Sequence, residues 1–252
     1  MKILVSNDDG HLAPGLKILV ENLKMIAQVI VVAPDKNKSG SSSSLSLNKE
    51  ILVHKINPML YSVSGTPTDC VHIALTGLIP FKPDMVISGI NDGSNMGDDT
   101  IYSGTVGAAI EGYLLGIPSI AVSMGNSEPK HFETAAKVIL ELINKHNKKP
   151  LNNVTLLNIN VPDVPYSEIK GLEITRLGKR QEAKPAIKRV GSNEQEFYSV
   201  GEVGEPKDSG PGTDFFAITN NYVSISPIQS DLTNYKEIDL IKKWIKSHPN
   251  EK

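Results

Sequence analysis

The chain has 252 residues, of which 39% are apolar and 21% charged, and its formal net charge is −2. That length buries a sizeable core and fits one large α/β domain or one domain with an appendage. The near-neutral charge argues against a nucleic-acid polymer as partner, because neutralising phosphates takes clustered Lys and Arg.

The opening residues, MKILVSNDDG, lack the apolar stretch of a signal peptide, and Lys2 to Ser6 read instead as a first buried strand. Leu16, Leu19, Val20 and Leu23 recur at helical spacing after Pro14, a residue suited to a helix start. Val29 to Val32 predict a second strand, stopped by Ala33-Pro34-Asp35, while Ile51 to His54 and Leu60 to Val63 predict shorter, less buried ones. Thr68 is the expected cap of a helix running to about Leu78, with Asp69 in the same capping role. Inside it, Cys70 reads as a buried structural thiol; it is the only cysteine, so no intrachain disulfide forms. Met85 to Ser88 is a further strand, Thr105 to Leu115 a helix, and Ser119 to Ser123 a strand. His131 to Lys145 place Ala135, Val138, Ile139 and Leu142 on one helical face. Thr155 to Ile159 close a set of about five parallel strands joined by crossover helices.

The pattern then changes. From Ile169 to about Val203 it is strand-like and punctuated by Gly171, Gly178, Gly191 and Gly201, as in a hairpin-bearing insertion. A strand at Tyr222 to Ser226 and a helix at Ile238 to Trp244 follow. The division is a core over residues 1–165 and an arm over 166–252 that is not an independent domain. The pattern leaves open whether the arm exchanges with a second subunit or folds back on its own core. Arg176, Lys179, Arg180, Lys184, Lys188 and Arg189 lie along this stretch and read as a solvated surface. No run approaches the roughly 18 apolar residues of a spanning helix, so a soluble cytoplasmic protein without membrane partners is expected.

Asn7-Asp8-Asp9-Gly10 follows the first strand directly. In open parallel sheets ligands bind beyond the C-terminal strand ends, where the strand order reverses. Adjacent carboxylates repel each other unless a cation or hydrogen-bond donors intervene, and Gly10 permits the tight turn that brings both to one centre. The plain alternative is an acidic loop that caps a helix. A second strand end runs into Gly89-Ile90-Asn91-Asp92-Gly93-Ser94-Asn95-Met96-Gly97, where Asn oxygens are hard neutral donors suited to Mg²⁺, Mn²⁺ or Ca²⁺. Tyr102-Ser103-Gly104-Thr105 opens a helix whose free N–H groups suit a phosphate, although taken alone the segment reads first as a bare N-cap. Beside these, the loop Ser39-Gly40-Ser41-Ser42-Ser43-Ser44 offers a hydroxyl, with Ser39 the first choice.

Other chemistries lack their motifs. His11, His54, His72, His131, His146 and His248 show no zinc-ligand spacing, and only His11 is near the acidic pair. Neither GxGxxG nor GxxxxGK[ST] occurs. A receiver-like module would need a phosphoacceptor Asp at the end of a middle strand, where Ser64-Gly65-Thr66 stands. A non-catalytic metal- and nucleotide-binding protein would use the same pocket and stays open.

In order from Met1 to about Leu232, MKILVSNDDG, VVAPDKNKSG, SGTPTDCVHIAL, SGINDGSNMGDDTIYSGTVGAAIEG, LNINVP and the late GPGTDF…YVSISP resemble the SurE (survival protein E) nucleotidases. The resemblance implies an α/β fold, a Rossmann-like mostly parallel sheet with helices on both faces and a protruding C-terminal β-rich arm exchanged in homodimers or homotetramers. It implies hydrolysis of nucleoside 5′-monophosphates, with side activity on 3′-nucleotides and short polyphosphate. Carried over by motif, the ligands of one divalent metal ion per subunit (Mg²⁺ or Mn²⁺) are Asp8, Asp9, Ser39 and Asn91, with Asp8 and Asp9 catalytic. Asn95, Ser103, Gly104 and Thr105 match the phosphate-binding positions. Gln229 departs from the pattern, standing where some members carry His.

Overall fold

Strand β1 (Lys2–Ser6) lies at the middle of a nine-stranded sheet. Its side chains alternate, Ile3 and Val5 toward one layer and Leu4 toward the other, as the two-residue period of a strand requires. The computed structural model describes residues 1–150 and 154–247, so His248 and the end of the expected 166–252 arm lie outside the described residues.

After β1 come α1 (Pro14–Leu23), β2 (Gln28–Pro34), β3 (Val53–Asn57), β4 (Leu60–Val63) and α2 (Pro67–Ile73). Then follow β5 (Met85–Asn91), α3 (Gly104–Leu114), β6 (Ser119–Met124), α4 (Phe132–Lys148) and β7 (Leu156–Val161). The remainder gives β8 (Gly171–Ile174), β9 (Lys179–Arg180), β10 (Ile187–Val190), β11 (Glu196–Ser199) and β12 (Pro206–Asp208), then α5 (Asp214–Thr219), β13 (Tyr222–Pro227) and α6 (Ile238–Ser247).

The sheet order is β3-β4-β2-β1-β5-β6-β7-β13-β8. The run from β4 to β7 is parallel throughout; β3 and β13 run antiparallel to β4 and β7, and β8 pairs parallel with β13. Leu60–Val63, expected as an accessory strand, thus joins the parallel set, because Val63 is fully buried against Val32 and Ile30. Gly171–Ile174, expected within the hairpin insertion, instead extends the main sheet. The hairpin itself is β10–β11, with all eight of its strand residues exposed.

Helices cover both faces. α1 and α4 pack Leu16, Leu19, Leu23, Ala135, Val138, Ile139 and Ile143 against one face. α2 and α3 close the other with Cys70, Val71, Ala74 and Ala108. Each buried Leu or Ile contributes roughly 1.5–3 kcal/mol relative to an exposed one. At the other extreme α6 leaves Leu240, Trp244 and Ile245 exposed. Among the described residues no helix is long and apolar enough to cross a membrane.

The cap of α2 is Thr66 and not Thr68. Asp69 N–H donates to the Thr66 hydroxyl (3.0 Å), and Thr66 N–H donates back to the Asp69 carboxylate (2.8 Å), a reciprocal capping box. The helix continues past Ile73 as a π-helical turn, Ala74–Leu78. Asp69 also accepts from the Ser46 amide (2.8 Å) and hydroxyl (2.7 Å), tying the serine-rich loop to the helix. Burial works to raise the Asp69 carboxyl, but the bonds from Ser46 and Thr66 outweigh it and hold it below the usual range.

A depressed folded-state pKa stabilises the fold above the unfolded value, and that contribution disappears as pH falls through the folded value. Asp69→Asn is therefore expected to lose about 1–3 kcal/mol at pH 7, with the gap to the native protein closing below about pH 4. Urea denaturation at both pH values checks this, and a gap independent of pH would refute it.

Candidate functional site

The strand order reverses between β1 and β5, since β1 leads outward to β2 and β5 leads outward to β6 on the opposite side. The C-terminal ends of these two strands carry Asn7-Asp8-Asp9-Gly10 and Asn91. Such a switch point leaves a crevice that connections run away from on both sides.

Asp8 is 3% exposed. Its carboxylate accepts a short hydrogen bond from the Thr105 hydroxyl on the first turn of α3. A Cβ added to Gly104 would stand 3.0 Å from that carboxylate and 2.7 Å from the Ser41 hydroxyl. Glycine at 104 is thus what lets the helix start sit against the acid. The Ser41 hydroxyl is buried and has no protein hydrogen-bond partner among the described residues. Burial pushes the Asp8 carboxyl above the ordinary range, against the Thr105 hydroxyl and the amides of Gly104 and Thr105.

Asp9 is half-buried and accepts from the Asp92 amide (3.2 Å). Burial, followed by the neighbouring charges of Asp8 and Asp92, pushes its carboxyl up to about 6. Gly10, at φ +101°, turns the chain so tightly that a Cβ there would lie 3.2 Å from the Lys36 backbone. Asn7 fastens this turn by donating from its amide to the Gly10 carbonyl (2.9 Å).

The loop after β2 lies across the acids. Lys38 N–H donates to the Asp8 carbonyl (2.7 Å), and Ser42 binds the 101–102 backbone through its amide (3.1 Å) and hydroxyl (2.6 Å). Ser39 follows Lys38 on this loop, its N–H bound to the Asn37 side chain (2.8 Å) and its residue exposed. At the end of β5 the pairing with β6 shifts register between Ser88 and Asn91, an irregularity of the kind that re-aims side chains beside sites. The Asn91 amide nitrogen donates to Gly93 O (2.9 Å), which turns the side-chain oxygen the other way.

Asn95 sits on the 92–103 connection. Its amide nitrogen donates to the Ser123 hydroxyl (2.7 Å), its N–H to Asn160 (2.9 Å), and its carbonyl accepts from Asn158 (2.8 Å) and Asn160 (3.0 Å). Ser103 caps α3, accepting from the Val106 amide (3.1 Å), so its own O–H is free to donate elsewhere. The structure thereby gathers Asp8, Gly104 and Thr105 by direct contact, and Asp9, Ser39, Asn91, Asn95 and Ser103 on the adjoining strand ends and loops.

Sequence reasoning did not single out Ser41 within the serine-rich loop, nor Asn158 and Asn160. The two asparagines alternate on β7 with fully buried Ile159 and Val161, and polar side chains within an apolar strand were the available signal. Conversely, His11 turns toward β2 and β4, its Nδ1 lying 3.3 Å from Pro34 O and from the Ser62 hydroxyl. Cys70 is buried, and burial raises its thiol far from the reactive range. The basic run is paired: Arg176 with Asp208 (2.5 Å), Lys179 with Asp98 (3.0 Å), Lys184 with Glu202 and Lys188 with Glu196 (2.5 Å). Arg180 departs from the solvated surface expected, since it is largely buried, bound to Asp99 (2.6 Å), and lies over the Phe215 ring.

This donor set consists of carboxylate, hydroxyl and amide oxygens, and among the described residues no three His, Cys, Asp or Glu side chains cluster as a metal site. Hard oxygens with two crowded acids fit Mg²⁺ or Mn²⁺ and do not fit a thiolate- or imidazole-seeking metal.

Residues 3–184 match the family model described as Survival protein SurE. The chain belongs to the SurE family. A 5′-nucleotidase SurE of Methylobacillus flagellatus is 55% identical over 245 residues, 97% of this chain and 99% of the relative. A protein of the same name from Coxiella burnetii is 51% identical over 246 residues, 98% of this chain and 95% of the relative. The crystal structure of the SurE protein from Aquifex aeolicus matches with a TM-score of 0.86 and 42% identity, covering 97% of this chain and 100% of that one.

Two outcomes follow from the crowding of the acids. A raised carboxyl pKa costs stability only above the unfolded value, so the cost is absent near pH 4 and complete above about pH 6. In EDTA at pH 7.5, Asp9→Asn is therefore expected to be more stable than the native protein, by on the order of 1 kcal/mol after solvent screening. Thermal unfolding at pH 4 and 7.5 reads this, and an equal or lower melting temperature at pH 7.5 counts against it. Gly104→Ala displaces Asp8 and is expected to weaken Mn²⁺ binding roughly tenfold or more; unchanged binding in a calorimetric titration would detach Asp8 from the metal.

Proposed function

We propose that this chain is a metal-dependent phosphomonoesterase that hydrolyses nucleoside 5′-monophosphates to nucleoside and phosphate. The observation that carries the reading is the Asp8–Asp9 pair at the switch point of the sheet, Asp8 buried against the N-terminus of α3 and Asp9 half-buried beside it. The name 5′-nucleotidase borne by relatives more than half identical supports the substrate class. Action on 3′-nucleotides and short polyphosphate belongs to the same proposal, since both present a phosphoryl group to the same residues.

Asp8, Asp9, Ser39 and Asn91 would hold one divalent cation per subunit, Mg²⁺ or Mn²⁺. When bound, that ion supplies charge to polarise the phosphoryl group and to acidify the attacking water. Ser103, through its O–H, is a donor for the other phosphoryl oxygens, and the amides of Gly104 and Thr105, which also face Asp8, complete the positive helix start around them. Asn95 joins them from the loop. These groups are fixed before substrate arrives, and fixed donors stabilise the charge that spreads over the phosphoryl oxygens in the transition state. Asp8 already accepts from Thr105, whereas Asp9 is partly exposed; Asp9 is therefore the better placed to take the proton of the attacking water.

The same proposal includes a cytoplasmic homodimer or homotetramer assembled through the 166–252 arm. The exposed side chains of Phe197 and Tyr198 on β11 and Leu240 and Trp244 on α6 support it, because such exposure is common at protein interfaces.

The test is inorganic phosphate release from AMP and an aryl phosphate with Mg²⁺ or Mn²⁺. Release should cease with EDTA, and Asp8→Asn should lower kcat/KM by roughly 10³-fold or more while the protein stays folded. A near-normal rate in that variant overturns the assignment. A folded native protein that binds nucleotide but releases no phosphate with either metal would instead be a binding protein.

A further inference from the structure

Asp214 is fully buried, far along the chain from the acidic pair, and the proposed chemistry leaves it without a task. One carboxylate oxygen, Oδ2, accepts from the Gly97 amide at 2.7 Å. The other, Oδ1, accepts from the Gly178 amide at 2.9 Å and from the amide of Phe215 at 2.9 Å. A single side chain thus fastens the 92–103 connection, which carries Asn95 and leads to Ser103, to the arm at Gly178 and Phe215.

The surrounding contacts are built for this junction. A Cβ on Gly97 would stand 2.8 Å from the Phe215 ring, and one on Gly178 would stand 2.4 Å from Asp208 O and 2.5 Å from the same ring. Only glycine at both positions lets two backbones reach one carboxylate. Arg180 closes the outer side: its guanidinium binds Asp99 (2.6 Å), its amide donates to Asp98 (2.9 Å), and it lies 5.0 Å from the Phe215 ring centre. From the inner side Asn158 and Asn160 grip Asn95. The connection is therefore held between β7 and the arm, and the Asp214 carboxylate accepts from backbone amides on both sides of the second junction, Gly97 in the connection and Gly178 and Phe215 in the arm.

We propose that Asp214 is a positioning residue for phosphate binding, locking the 92–103 connection so that Asn95 and Ser103 face the phosphoryl group. This rests on the phosphatase reading of the site. It assigns no part of metal binding to Asp214, because the connection meets the proposed ligands only at its start, through the Asp92 amide on Asp9 and Gly93 O on Asn91, whereas Asp214 holds it at Gly97. It also makes the arm, through Arg180 and Gly178, part of the apparatus that sets substrate affinity.

Asp214→Asn tests it with little change of shape. An amide can keep one oxygen for Gly178 and Phe215, but then sets an NH₂ against the Gly97 N–H. Expected are a KM for AMP and an inhibition constant for inorganic phosphate that rise together by roughly 10- to 100-fold, the loss of one hydrogen bond to a charged group. Mn²⁺ affinity should stay within about twofold, which a general loosening of the fold would not spare. A folded variant with native KM and native phosphate inhibition overturns the proposal, as does a parallel loss of Mn²⁺ and phosphate binding. Should Asp214→Asn fail to fold, Arg180→Gln carries the test: a smaller rise of both constants, about threefold or more, is expected, and no rise overturns the assignment. Calorimetric binding of inorganic phosphate reads the same residue without turnover. A phosphate affinity lost in the variants of a protein that hydrolyses nothing would leave Asp214's role standing while the enzymatic reading falls.

Discussion

Two consecutive carboxylates at the end of a buried strand oppose each other and oppose burial, and the rest of the site is arranged around that conflict. Asp8 receives the Thr105 hydroxyl and lies against the start of α3; Asp9 has only the Asp92 amide and stays half-buried. Among the described residues no cationic side chain is bonded to the pair. A cation is the physical complement that two such adjacent carboxylates favour. The crowding that costs the fold stability is thus the same property that would favour the proposed metal, and natural proteins tolerate local cost of this kind at working sites.

Much of the fold was legible in the chain because strands and helices buried on the sheet leave unmistakable apolar patterns. Ile3-Leu4-Val5, Val29 to Val32 and the helical spacing of Leu16, Leu19 and Leu23 needed no tertiary information. What local pattern could not give was pairing. Leu60–Val63 is too short and too polar at Tyr61 and Ser62 to announce itself as a parallel core strand, and its place comes from burial of Val63 beneath α2. Gly171–Ile174 reads like the hairpin beyond it, yet it pairs with β13, some fifty residues later. Capping failed by two residues for a related reason: Thr66 and Thr68 both suit a cap, and Pro67, fit for the first helical position, decides between them.

The site was legible in proportion to how local its chemistry is. Asp8, Asp9, Asn91 and the 103–105 start of α3 follow directly from strand ends and glycines in the sequence. Ser39 came from a serine-rich loop whose path local pattern does not fix; the loop is drawn over the acids by Lys38 N–H on Asp8 O and by Ser42 on the 101–102 backbone. Ser41, whose buried hydroxyl shares the space beside Gly104, had no signal that set it apart from its neighbours. Asn158, Asn160 and Asp214 act on the site through the backbone of Asn95 and Gly97; the polar alternation on β7 marks the two asparagines as unusual, but residue spacing does not say what they hold.

The insertion of β13 between β7 and β8 has a consequence for synthesis on the ribosome. Residues up to Val161 can assemble the parallel sheet as they emerge, but the free edge of β7 is covered only when Tyr222–Pro227 arrives. During that interval a strand carrying Leu156, Ile159 and Val161 presents an unpaired backbone edge, the kind that recruits foreign strands. Asn158 and Asn160, which later grip Asn95, place two polar side chains on that edge while it waits. At typical elongation rates of roughly 5–20 residues per second, the wait lasts several seconds.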